Sequence, residues 1–456
     1  MKYEWLGARR AVLARTLESA EDLAGGVLAA GARGVYLARA IITGRIPTEL
    51  MIADDLRTAL HDTDAWLNAV EREAARMPKR YRELPVRVVS GTVVDVTDTS
   101  ASTFTTGIQR VAREVVGAWA AEQQLELAAW TRSGALRVLS PEERRRAGDA
   151  SGVAERPALI VPDRAKLMLP EIALDAARAQ RLATVARHGA SASLAIGFDC
   201  VPITSPATAP PGMPGAFARY LAGIARFDRI ATISHAAALE FGGWAEALPA
   251  AGLTPPEVVA VPLPIRPVGD GSSAPSPARG DRPLVVCVGS HEPRKNHLTI
   301  LTAAELAWRR GADFELVLAG GRSWDSAEFD SLAARLIAEG RPLTLETSVS
   351  DAELARRYRQ ARCSIFASFN EGFGLPIAES IAMGTPVITA DFGSQREVGA
   401  GHGAILVDPR DARAIATELM RVLSDDELHA RLAAEARATP HGSWADYAAR
   451  LALLLD

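Results

Sequence analysis

Two periodicities divide the chain. From its start to about residue 85, apolar positions recur three or four residues apart among alanine, arginine and glutamate, the spacing of helices that each bury one stripe. The most apolar piece there, 23–42, is interrupted by Arg33 and Arg39. It predicts an amphipathic packing helix, with a place on a membrane surface as the competing role. Gly25, Gly26, Gly31 and Gly34 weaken a free-standing helix and favour packing against the protein or a second copy of it. From Val86 onward, short runs of valine, isoleucine and leucine alternate with helical periodicity. Buried strands are expected at 86–89 and 93–96 (as one strand or two), 125–130, 159–161, 193–196, 229–233 and 258–261, with a helix at 107–122. Residues 266–282, rich in proline, glycine and serine, read as a linker. A second set of strands follows at 284–289, 314–319, 343–347, 363–367, 386–389 and 404–407, and a last helix at 443–455. The alternation predicts an α/β protein with doubly wound parallel sheets. The units expected are 1–85, a helical extension; 86–265 and 283–440, two Rossmann-like domains; and 441–456, a terminal helix.

Bulk properties narrow the function classes. A chain of 456 residues is long for one domain, and 48% apolar with 23% charged residues is the composition of a soluble globular protein. A net charge of −4 gives no support to nucleic-acid binding. Cys200, Cys287 and Cys363 have neither disulfide-framework nor zinc spacing, which points to a reducing compartment. No signal peptide is evident, and no apolar run approaches the roughly 20 residues of a membrane span. A cytoplasmic protein is expected, with a peripheral contact on the inner face of the membrane left open.

The chemistry concentrates at Ser368-Phe369-Asn370-Glu371-Gly372-Phe373-Gly374-Leu375-Pro376-Ile377-Ala378-Glu379. This run joins a strand-like segment to a helix-like one. Two glycines let the backbone pass close to a ligand, and Pro376 suits the first helical position. The free amides of such a turn, with the positive end of the helix dipole, suit phosphate. Glu371 on the loop and Glu379 in the first helical turn could both reach one ligand. Carboxylates beside a phosphate cradle hold hydroxyl groups, so the combination predicts a nucleotide-sugar site. Taken singly, Glu379 would complement the dipole and Glu371 would be an ordinary loop residue.

A second turn, Val288-Gly289-Ser290-His291-Glu292-Pro293-Arg294-Lys295-Asn296-His297, follows the first strand of the second set and opens a helix. There Arg294 and Lys295 could neutralise a diphosphate, although two adjacent basic residues in a loop are more often simply solvated. Ser350 is a plausible helix N-cap, with Glu353 completing a capping box. His235 is expected to cap the helix that follows 229–233.

The run 368–379 resembles the E-x7-E signature of retaining glycosyltransferases with the GT-B fold, specifically glycosyltransferase family four. The likeness is good over about 284–423 and loose before it. It implies two Rossmann-like doubly wound parallel-sheet domains facing a cleft, the last helix crossing back to the first. It implies donor binding by Gly289, Ser290, Arg294, Lys295, Val349, Glu371, Gly372, Phe373, Gly374, Leu375 and Glu379, with Glu371, Lys295, Arg294 and Asp199 catalytic. Gly107 would sit on the acceptor-side loop. No metal and no cofactor is implied beyond a nucleotide diphosphate sugar as co-substrate. The expected activity is metal-independent transfer of a hexose, mannose among the candidates, to a glycan or lipid-linked glycan. The base could be any of those in UDP, GDP or ADP, and a homo-oligomer is compatible. Three departures stand out: Ser290 replaces a common arginine, only Gly107 remains of a glycine pair, and Phe198 replaces a histidine two residues before Cys200. A non-catalytic GT-B protein binding a nucleotide sugar or glycan is the alternative; a nucleotide-sugar epimerase lacks motif support.

Overall fold

The computed structural model describes residues 4–19, 21–103, 106–269 and 282–456, without the Arg80 side chain. Of the expected linker, 270–281 lie outside the described residues, as does Thr105 beside Gly107.

The first sheet is built from β1 (Val86–Val89), β2 (Thr92–Asp95), β3 (Glu126–Trp130), β4 (Leu136–Val138), β5 (Leu159–Pro162), β6 (Ala165–Leu169), β7 (Ala190–Gly197), β8 (Arg229–Thr232) and β9 (Glu257–Ala260). Their order is β1-β5-β4-β3-β2-β6-β7-β8-β9. All pairings are parallel except those of β4, which runs antiparallel to β3 and β5. The expected parallel sheet is therefore present, with β4 as an antiparallel insertion that the sequence reading did not include. A tight turn after Trp130, where Gly134 takes φ +81°, folds β4 back as a hairpin. The segments 86–89 and 93–96 are two strands of one ribbon bent at Ser90-Gly91. Their partners β5 and β6 bend in step at Asp163-Arg164, so the β1–β5 ladder continues into β2–β6.

The second sheet contains β10 (Leu284–Val288), β11 (Glu315–Ala319), β12 (Leu343–Glu346), β13 (Cys363–Phe366), β14 (Val387–Ala390) and β15 (Ala404–Val407). Every pairing is parallel, in the order β12-β11-β10-β13-β14-β15. β13 and β14 are buried along their whole length, as expected where helices cover both faces. The strand order reverses direction between β10 and β13, the switch point at which open α/β sheets bind ligands.

The helices of 4–82 are not a detached appendage. Leu13, Val35, Ile41 and Ile42 share one buried cluster with Leu159, Val161 and Ile224 of the first domain. Arg33 holds Asp163 through two hydrogen bonds of 2.8 and 2.7 Å, and the Tyr36 hydroxyl donates to the Pro162 carbonyl at 2.9 Å. The expected single helix over 23–42 is two, Leu23–Ala29 and Gly31–Thr43, broken where Gly31 takes φ +57°. Gly34 lets them meet: a Cβ there would lie 2.1 Å from the Val27 carbonyl. Val35, Leu37, Ile41 and Ile42 are fully buried. At roughly 1.5–3 kcal/mol each, their burial outweighs glycine penalties of about 1 kcal/mol apiece. Among the described residues no helix is long and apolar enough to cross a membrane.

At the other end, the helix Trp444–Leu453 packs on the first domain against Gly107–Glu122. Trp119 Nε1 donates to the Ala448 carbonyl at 2.7 Å, and Tyr447 and Leu451 join a cluster containing Val115 and Ile196.

Candidate functional site

The loop after β13 carries the site. Gly374 adopts φ +100°, which only glycine enters readily, and the helix Leu375–Ala382 begins directly behind it. Pro376 thus occupies the second helical position and Glu379 falls just beyond the first turn, a correction to the expected placement of both. The loop after β10 is stitched to this one. Asn296, at φ +59°, donates from Nδ2 to the carbonyls of Ala367 (2.9 Å) and Pro409 (2.6 Å). The Phe369 amide donates to the Arg294 carbonyl at 2.9 Å. Sequence-distant loops are thereby fixed at the carboxyl ends of two adjacent strands.

Glu371 is the centre of a buried charge cluster. Its carboxylate lies 2.6 Å from Arg294 Nη1 and 2.7 Å from Lys295 Nζ. Arg294 also bonds Glu292 at 2.7 Å and donates to the Asn370 carbonyl at 2.9 Å. Lys295 Nζ sits 5.0 Å over the Phe366 ring. Burial would raise the Glu371 pKa, but Arg294 and Lys295 outweigh it and hold the carboxyl down at about 2. Asp199, partly exposed after β7, accepts from the Val201 amide at 3.1 Å. Desolvation pushes its carboxyl up to about 6, with Arg294 opposing and Glu371 and Glu240 adding to the rise. Behind Lys295, burial holds His297 neutral, its pKa pushed down to about 3.

The two domains touch through this same loop. A Cβ on Gly372 would lie 2.2 Å from the Phe198 carbonyl and 3.2 Å from Asp199 Cβ, so Gly372 permits close approach to the other domain as well as to any ligand. The Ser234 hydroxyl donates to the Gly372 carbonyl at 2.6 Å. Asn370 Nδ2 donates to Glu240 at 3.0 Å, and the Glu397 carboxylate accepts from the amides of His235 and Ala236 at 3.0 and 2.9 Å. Ser234, not His235, caps the helix His235–Ala247, because its hydroxyl reaches the Ala237 amide.

Gly107 opens the helix Gly107–Glu122 beneath a complete capping box of Thr106 and Gln109, and its Cβ position lies 3.4 Å from Leu375 Cδ1. One turn further on, Arg110 forms an ion pair with Glu379 across the cleft. The Tyr358 hydroxyl is 3.4 Å from the other Glu379 oxygen. Burial pushes the Glu379 carboxyl up, against the pull of Arg110.

The remaining expected residues are more dispersed. Gly289 has φ +148°, and its carbonyl is so close to Gly320 that a Cβ there would lie 1.9 Å away. Ser290 is half-buried beside it. Phe373 is buried in the cluster that spans both domains. Val349 lies on the loop after the edge strand β12, two strands from β10, and so stands apart from the Glu371 cluster. Ser350 caps its helix, but Glu353 bonds Arg356 instead of completing the box, since a flexible carboxylate gains more from a nearby cation. An open depression of about 410 Å³, lined by Arg87, Gly91, Thr92 and Glu126, lies at the amino ends of β2 and β3, away from the carboxyl ends of the first sheet, where Asp199 follows β7.

Sequence reasoning missed Arg110, Ser234, Glu240, Tyr358 and Glu397. One signal was available: a cation near a helix N-terminus opposes the dipole, so Arg110 needs a compensating partner.

Two Rossmann-like parallel-sheet domains facing across a seam, with the terminal helix returning to the first, constitute the GT-B fold. Solved structures agree. Sucrose-phosphate synthase from Thermosynechococcus elongatus superposes with a TM-score of 0.56 at 18% identity, covering 80% of this chain and 98% of that one. Anabaena HepE in complex with UDP and glucose gives 0.57 at 14% identity, covering 80% and 99%. More particularly, residues 271–439 match the family model described as Glycosyl transferases group 1. The O-antigen chain mannosyltransferase B of Escherichia coli is 36% identical over 140 residues, 30% of this chain and 36% of the relative. A D-inositol 3-phosphate glycosyltransferase of Thermobispora bispora is 37% identical over 181 residues, 38% and 42% respectively. The chain thus spans less than half the length of these curated relatives.

Proposed function

We propose that the protein is a retaining, metal-independent glycosyltransferase that moves a hexose from a nucleotide diphosphate sugar to a hydroxyl of a glycan or lipid-linked glycan. The observation that carries the reading is the Glu371 carboxylate, ionised between Arg294 and Lys295 at the switch point, one short helix start from Glu379. The group 1 match over the same residues supports it, and relatives named mannosyltransferases favour mannose.

In this mechanism Arg294, Lys295 and the amides of Gly372 to Leu375 stabilise charge on the departing diphosphate. Glu371 holds hydroxyls of the sugar and Glu379 the ribose diol, while Gly289, Ser290 and Val349 border the nucleotide. Asp199 and Gly107 face the transferred sugar and the acceptor from the first domain. The bond from the anomeric carbon to the phosphate oxygen breaks as a bond to the acceptor oxygen forms on the same face. The acceptor proton passes to the leaving phosphate oxygen, so no protein nucleophile is required. The proposed location is the cytoplasm, against the inner face of the membrane when the acceptor is lipid-linked.

The test is incubation with radiolabelled GDP-mannose, UDP-glucose and ADP-glucose, with and without EDTA. Hydrolysis or transfer of one donor, persisting in EDTA with the anomeric configuration kept, is expected. Inertness to the whole panel would overturn the catalytic reading, and recovery only with manganese would overturn metal independence.

A further inference from the structure

The charges around Glu371 already cancel. Arg294 and Lys295 are matched within bonding distance by Glu371 and Glu292, so an arriving diphosphate meets a cluster with no net positive charge. One more cation reaches into the seam, and it comes from the other domain. Arg110 keeps 22% of its side chain exposed, while its partner Glu379 keeps 7%. The helix starts that carry them run side by side, since Gly107 meets Leu375 and Arg110 meets Glu379. Four helical steps lead from Leu375 to Glu379, roughly 6 Å along the axis, a span that a long arginine side chain pivots across.

We propose, resting on the function above, that Arg110 is a phosphate-binding residue supplied by the opposite domain and held on Glu379 until nucleotide arrives. Ribose hydroxyls take over the Glu379 carboxylate as uncharged donors, and the released guanidinium turns to the diphosphate lying over the amides of Gly374 and Leu375. A planar guanidinium suits that role because it bonds two phosphate oxygens at once. Two jobs follow for one residue. Without ligand it neutralises a buried carboxylate; with ligand it makes diphosphate binding depend on the two domains being together.

The test uses the full chain with UDP, GDP and ADP and with uridine, guanosine and adenosine, measured by calorimetry and, for the weaker nucleosides, by ligand-observed NMR. Arg110→Ala and Arg110→Gln should each weaken the diphosphate that binds the wild type by about tenfold or more, the effect of losing a hydrogen bond to a charged group. Binding of the matching nucleoside should be unchanged or tighter, because no charged group then competes for Glu379. Arg110→Lys should recover part of the diphosphate affinity. Gln keeps a donor for Glu379, so a folding defect confined to the Ala variant leaves the comparison intact. Diphosphate binding as tight as wild type would show Arg110 to be only a competitor for Glu379, and equal loss of nucleoside and diphosphate would show it to be structural; either overturns the proposal. A wild-type protein that binds none of the three diphosphates overturns the functional reading beneath it.

Discussion

Glu371→Gln separates what the central carboxylate does for the fold from what it does for a ligand. The substitution keeps the shape and removes the charge, which is what protonation would do. In the folded protein the Glu371 pKa lies at about 2 against 4.5 for the free group, a lowering in which Arg294 and Lys295 prevail over burial. At neutral pH that difference corresponds to about 3 kcal/mol of folding stability held by the ionised form. The sign is that of a depressed acid: the contribution is complete above 4.5 and is lost as pH falls towards 2. The variant should therefore be less stable by about 3 kcal/mol at pH 7, with the difference shrinking below pH 4. The same substitution leaves Lys295 without a carboxylate partner while Arg294 keeps Glu292, so the cluster gains one net positive charge, and affinity for a free nucleoside diphosphate should hold or rise while turnover of the intact donor falls. Since a two-domain chain need not unfold in one step, hydrogen exchange in the strands of the second sheet is the appropriate stability measure, with calorimetry for the diphosphate. A variant with unaltered protection at pH 7, or one that loses diphosphate affinity along with stability, would refute the reasoning.

Two further outcomes are expected. For Asp199, whose pKa is raised to about 6 from 3.8 chiefly by desolvation, the ionised form is a burden that is absent below 3.8 and complete above 6. Thermal unfolding of Asp199→Asn should gain on wild type between pH 4 and pH 7, and a pH-independent difference would contradict the assignment. In Gly372→Ala the new methyl would lie 2.2 Å from the Phe198 carbonyl, so the seam must part. Overpacking of this kind costs about 1–3 kcal/mol, and small-angle scattering should show a larger radius of gyration; an unchanged profile and unfolding midpoint would show that the seam absorbs the methyl.

The second sheet was legible because its four central strands, β11, β10, β13 and β14, are short apolar runs buried over most of their length, while the half-buried edge strands β12 and β15 still carry leucine, isoleucine or valine in short bounded runs. All six fall within one residue of expectation at either end. The first sheet was harder for a physical reason. β4 is three residues with Arg137 in the middle, and β6 contains Lys166, whose ammonium leaves the strand to pair with Asp456. Neither run shows the unbroken apolar signal, and only the ladders around them make strands of them. The loops carrying Arg294, Lys295, Glu371 and Glu379 could likewise be placed from strand-turn-helix order, because switch-point geometry follows from topology. What those side chains touch could not. Arg110 and Glu379 are 269 residues apart, and Ser234 and Gly372 are 138 apart, and nothing local marks either pair.

Those long-range pairs bear on how the whole signature should be understood. Asn370 bonds Glu240, Gly372 accepts from Ser234 and abuts Phe198, Phe373 enters the shared apolar cluster, and Glu379 meets Arg110. The run that looks like a ligand loop is thus also the seam between the domains. Its residues answer to two constraints, and a substitution there disturbs both unless the side chain faces only the ligand space. The chain crosses between domains at two points that lie together, where the Gly442 amide donates to the Ile265 carbonyl at 3.1 Å. Two adjacent crossovers define an axis, and the terminal helix beyond them stays with the first domain through Trp119, Tyr447 and Leu451. Glu379 therefore ties the start of the helix Leu375–Ala382 to the first domain through one carboxylate, and whatever changes its partner changes the contact between the domains.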